Sequence, residues 1–79
     1  RQFARIALEK VRSTDFELKI AGLNQLYQIS KEADYPLNEH IYQHLINCVG
    51  NEPDETSREA IIDAICYFRK SRLYKRKTM

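Results

Sequence analysis

The chain has 79 residues, 43% of them hydrophobic and 30% charged, with 13 Lys and Arg against 11 Asp and Glu and only two Gly and two Pro. An ordinary apolar fraction with so little Gly and Pro excludes collagen-like, low-complexity and disordered classes, and no run approaches the ~18 apolar residues of a membrane span. So short a chain holds one domain at most, and its charged, amphipathic opening lacks the apolar region and cleavage site of a signal peptide.

Arg at position 1 reads as the start of a piece of a longer protein. A domain of this size buries only about 60% of its unfolded surface, so its stability is expected to be small. Two Cys, at 48 and 66, are too few for a disulfide-stapled scaffold and fit a reducing compartment.

In chain order, apolar spacing predicts four amphipathic helices and no strand. The first covers 2–12, with Phe3, Ile6, Ala7 and Val11 at helical intervals. Thr14 and Glu17 form a capping box for the second, whose apolar arc runs through Phe16, Ile20, Leu23, Leu26, Tyr27, Ile29 and Ala33. Asp34-Tyr35-Pro36-Leu37 is expected to break the chain, because proline disfavours the α conformation in the residue before it. Asn38 is the expected N-cap of the third helix, which carries Ile41, Tyr42, Leu45, Ile46, Cys48 and Val49 and stops at a left-handed Gly50. Thr56 and Glu59 repeat the capping box, and the fourth helix runs through Ile61, Ile62, Ala64, Ile65 and Phe68 to about Leu73. The expected core is Phe3, Ile6, Val11, Leu23, Leu26, Ile29, Ile41, Leu45, Val49, Ile61, Ile65 and Phe68.

The chain also repeats itself at an offset of 39 residues. Asp15 aligns with Asp54, Lys19 with Arg58, Ala21 with Ala60, Leu23 with Ile62, Leu26 with Ile65 and Ile29 with Phe68. Phe3 matches Tyr42 and Ile6 matches Leu45 in the helices before them, while Leu18 against Ser57 and Val11 against Gly50 do not match. The expected fold is therefore all-α, four helices as two antiparallel hairpins in one domain over 1–73, with repeats at about 1–37 and 38–73 and a basic tail at 74–79. The Asp-x-x-x-Lys/Arg-x-Ala-x-Leu/Ile pattern resembles the second helix of HEAT repeats, whose period is near 40, and implies a HEAT- or armadillo-like solenoid fragment. The second and fourth helices would form its inner layer.

At finer grain the chain is similar to a helical module of bacterial membrane-anchored, pentapeptide-repeat-associated proteins of unknown function. Its opening pattern is met by Arg1, Phe3, Ala7, Val11 and Ser13, and its second block by Lys19, Ala21, Gly22, Leu23, Leu26, Ile29 and Ser30. Ile41, Leu45 and Val49 meet the third block, and Ala60, Ile61, Ala64, Ile65, Arg69 and Lys70 echo the fourth. Arg12, Lys19 and Ala21 depart from the pattern. The resemblance implies a cytoplasmic interaction or regulatory module, including one held at the cytosolic face of a membrane, and offers no catalytic residue.

Chemistry-bearing groupings are few. His40, His44 and Cys48 stand at i, i+4 and i+8, a spacing that can offer two ligands to a metal. Without a second ligand pair the preferred reading is two solvated histidines beside a small buried thiol, and no metal or cofactor is expected. Cys66, among Ile62, Ile65 and Tyr67, has no histidine near it in sequence, and no phosphate loop or nucleophile motif is present, so no enzyme is expected. Lys19 and Arg58, near the starts of the second and fourth helices, oppose the helix dipoles and are expected to pair with Asp15 and Asp54.

Charge is distributed unevenly. Residues 69–79 hold six cations and no acid, leaving seven cations and eleven acids in 1–68. The candidate binding residues are Tyr67, Arg69, Lys70, Arg72, Tyr74, Lys75, Arg76 and Lys77. The expected function is non-catalytic interaction or regulation, with another protein or another region of the parent chain as partner. Nucleic-acid or anionic-lipid contact through the basic stretch, and homo-oligomerisation, are the alternatives.

Overall fold

Three aspartates start helices here. The computed structural model describes the backbone of residues 2–78 and the side chains of residues 3–70, and within it the chain forms α1 (Gln2–Val11), α2 (Phe16–Ser30), α3 (Tyr35–Gly50) and α4 (Glu55–Thr78). Asp15 is extended ahead of α2 and its carboxylate accepts the Glu17 N–H at 3.0 Å. Asp34 does the same for Leu37 at 2.9 Å ahead of α3, and Asp54 for Ser57 at 2.9 Å ahead of α4. A carboxylate at this position satisfies an otherwise orphan donor and faces the positive end of the helix dipole.

These caps correct the expected boundaries. Thr14 and Thr56 do not cap; Asp15 and Asp54, one and two residues away, do. Pro36 does not break the chain before α3 but sits in its first turn, where no N–H is required and its fixed φ suits the helix. Asn38 is consequently inside α3 rather than at its start, and fully buried. Gly50 has no positive φ; it is the last residue of α3, and Asn51 follows as the C-cap. α4 continues past Leu73 to Thr78.

Helix α1 packs on α2 and α3 on α4, and these two pairs meet through α2 against α4 and, less extensively, α1 against α3. The narrowest extent is 16 Å, the depth of two helices packed ~10 Å apart. The core comprises Ala4, Ala7, Leu8 and Val11 from α1, Leu23 and Leu26 from α2, Ile41 and Leu45 from α3, and Ile61, Ala64 and Phe68 from α4. Ile29, Val49 and Ile65 are only half-buried at its margin. Phe3 and Ile6, expected in the core, are 76% and 48% exposed. The stripe of α1 that faces inward is Ala4-Ala7-Leu8-Val11.

Gly22 lets α2 approach α1 closely. A Cβ there would lie 2.6 Å from the Ala7 carbonyl oxygen, 2.9 Å from Lys10 Cβ and 3.0 Å from Val11 N. Between the two pairs, Tyr67 of α4 meets Tyr27 of α2 edge-on at 4.9 Å between ring centres, and its hydroxyl lies 2.9 Å from Ser30 Oγ. No helix among the described residues is long and apolar enough to cross a membrane.

Candidate functional site

Of the candidate binding residues, Tyr67, Arg69 and Lys70 are exposed on α4. The side chains of Arg72, Tyr74, Lys75, Arg76 and Lys77 lie outside the described residues. Tyr67 is 37% exposed while also bound to Ser30 and packed on Tyr27, so it joins α2 to α4 whatever else it contacts. Beside it, burial raises the Tyr27 phenol above its usual 10.0, and the charge of Asp63 adds to the effect.

Lys19 does not pair with Asp15. Its position one turn before Leu23 puts it on the inward face of α2, where only 6% of it remains exposed. Its ammonium donates to Glu52 Oε1 at 2.5 Å and to the Val11 carbonyl at 3.3 Å, at the C-terminal end of α1. A cation is favourable there, so the dipole conflict at the start of α2 is offset by the end of α1. Glu52, 8% exposed, also accepts the Asp54 N–H at 3.0 Å. The hydrogen bond from Lys19 is the main cause that lowers its pKa, outweighing the burial that opposes it. Arg58 donates to the Glu52 backbone oxygen at 3.0 Å, so both repeat-related cations converge on one residue of the α3–α4 loop. Asp15 and Asp54 serve as caps instead, although the Arg58 charge helps to hold the Asp54 carboxyl low after its bonds to Ser57. Sequence reasoning missed Glu52, although Lys19 aligned with Leu23, Leu26 and Ser30 on one helical face signalled a buried cation in need of an acid.

Around this pair lies a cleft of about 520 Å³ lined by Arg12, Phe16, Lys19, Pro53, Asp54 and Ser57 among others. A second groove, of about 600 Å³, runs between α1 and α3. Its apolar lining is Ala4, Leu8, Pro36 and Leu37, and its polar lining is Arg5, Glu9, Arg12, His40 and His44. The Arg12 guanidinium donates to His44 Nδ1 at 3.3 Å, and the His40 and His44 rings stand 4.4 Å apart. Burial, followed by His40 and Arg12, lowers the His44 pKa below the ordinary 6.5.

The imidazoles do come together as their i, i+4 spacing implies, but no three His, Cys, Asp or Glu side chains among the described residues form a group that could hold a metal. Cys48 is half-buried and free, and Cys66, expected among apolar neighbours, is exposed and free. Compared with known protein families, curated proteins and solved structures, the chain matches none of them.

Proposed function

We propose that this chain is a HEAT-like, two-hairpin module that acts without catalysis, by binding another protein or another region of its parent chain. The observation that carries this reading is the set of large apolar side chains left in solvent: Phe3 at 76%, Ile6 at 48%, Ile62 at 45% and Leu18 at 43% exposure. Phe3 and Ile6 lie three residues apart on one flank of α1, forming a local apolar surface beside the packed stripe. In a solenoid such flanks are the surfaces on which the next hairpin or a partner stacks. The 39-residue repeat and the pairing of α1 with α2 and α3 with α4 support the same architecture.

The test is affinity capture with wild type, with Phe3→Ser/Ile6→Ser, and with Arg69→Gln/Lys70→Gln, each with and without nuclease. A discrete protein that survives nuclease and is lost with the Phe3/Ile6 variant supports the reading. Recovery lost with nuclease and with the Arg69/Lys70 variant would establish polyanion binding through the basic stretch instead. Light scattering at high concentration reads homo-oligomerisation directly, and a wild-type dimer that Phe3→Ser/Ile6→Ser returns to monomer would make a second copy the partner.

A further inference from the structure

We propose that the groove between α1 and α3 is a second docking site, separate from the Phe3–Ile6 flank, for a short acidic amphipathic segment of a protein partner. It shares with the preceding reading only the premise that the ligand is a protein.

The groove is lined by the apolar Ala4, Leu8, Pro36 and Leu37 together with Arg5 of α1, Arg12 just past its end, and His40 and His44 of α3. Glu9 is the one acid in its lining. Such an arrangement suits an occupant that is apolar on the face it buries and carboxylate-bearing on its edges, the pattern of helix-in-groove recognition. From Ala4 to Arg12 the α1 wall is about 12 Å long at 1.5 Å per residue, room for roughly two turns of a bound helix.

His44 and Arg12 make the site sensitive to acid. In the free protein the neutral His44 accepts one N–H of the Arg12 guanidinium. Protonation removes that acceptor and leaves Arg12 and His44 as adjacent positive groups. A ligand carboxylate placed between Arg12 and His44 replaces the lost bond with two charge-assisted ones. The charged and titratable groups around His44 are Arg5 and Glu9 on α1, Arg12 just past its end, and His40 on α3 itself; Cys48, one turn further on, stands next to the Lys19–Glu52 pair. Glutamates of the ligand, with an ordinary pKa near ~4.3, stay ionised throughout the histidine range. Affinity therefore rises as pH falls, until those carboxylates begin to protonate.

The experiment is fluorescence anisotropy with a labelled peptide of about two to three helical turns, leucines on one face and flanking glutamates, beside its Gln-for-Glu counterpart. The Glu peptide is expected to bind about fivefold tighter than the Gln peptide, and Arg12→Gln to abolish that preference, a size typical of solvent-exposed charge pairs. Between about pH 7.5 and pH 5.5 wild-type affinity is expected to rise several-fold, and the rise to vanish in His40→Gln/His44→Gln. Amide shifts on titrating wild type, a readout that needs no variant, are expected on residues 4–12 and 36–44. Equal binding of the two peptides, no binding, or shifts confined to other residues would overturn the proposal. If the capture experiment still recovered a partner through Phe3 and Ile6, this groove assignment alone would be wrong.

Discussion

Asn38 is a polar side chain in an apolar place. It is completely buried on the same face of α3 as Ile41 and Leu45, and neither atom of its side-chain amide has a partner among the described residues. A buried amide without hydrogen bonds costs about 1–3 kcal/mol relative to one that is satisfied. Asn38→Leu, which keeps the branching and number of side-chain heavy atoms and removes the polar groups, is therefore expected to stabilise the fold by about 1–2 kcal/mol, seen as a higher urea midpoint at unchanged slope. A loss of stability would show that the amide has a partner in the folded protein. Its burial was not legible in the sequence: Asn after Pro reads as a cap, and only the first-turn placement of Pro36 moves it inside. Lys19 is the opposite case, a buried charge held by the carboxylate of Glu52 and the Val11 carbonyl.

At the scale of elements, the α1–α2 contact depends on one missing side chain. The atoms a Cβ at Gly22 would strike include the Ala7 carbonyl oxygen and Val11 N of α1, backbone that cannot rotate aside as a flexible side chain would. Gly22→Ala gains some helix propensity but forces the helices apart, and overpacking of this kind typically costs about 1–3 kcal/mol. The variant is expected to unfold at lower denaturant than wild type, whereas Ala21→Gly, at an exposed position, should lose only the propensity, about 1 kcal/mol. Equal losses would show that the close approach is unimportant. The existence of all four helices was readable from apolar periodicity alone. Their starts were misplaced by one to a few residues, because Asp15, Asp34 and Asp54 compete with neighbouring Thr and Asn for the same role, and local sequence does not decide which adopts the extended backbone.

At the scale of the whole fold, three groups among the described residues have pKa values lowered by folding: His44, Glu52 and Asp54. Each binds fewer protons folded than unfolded, so each contributes stability that is complete above its ordinary value and lost as pH falls through the folded one. Acidification should thus weaken the fold first below 6.5, through His44, and again below the ordinary carboxylate values of 4.5 and 3.8. Urea midpoints measured across this range check both steps. Glu52→Gln is expected to lower stability at neutral pH, because Lys19 is left buried without its acid, and to shrink the second step while sparing the first. An unchanged acid profile in Glu52→Gln would show that the Lys19 pair is not what links the α3–α4 loop to α2.

The sequence by itself determined the four helices of the described residues, which include no strand, and the internal repeat, since helical periodicity and the 39-residue offset are local patterns. Most of the core was also legible, because Leu23, Leu26, Ile41, Leu45, Ile61 and Phe68 lie at the centre of wide apolar arcs. Only the tertiary structure decided which flank of α1 is buried, because Phe3–Ile6 and Ala4–Leu8 are equally good helical stripes and the choice depends on which of them the packed helices cover. It alone paired Lys19 with Glu52 and Arg12 with His44, contacts 33 and 32 residues apart in the chain, whose formation depends on how one helical hairpin docks against the other.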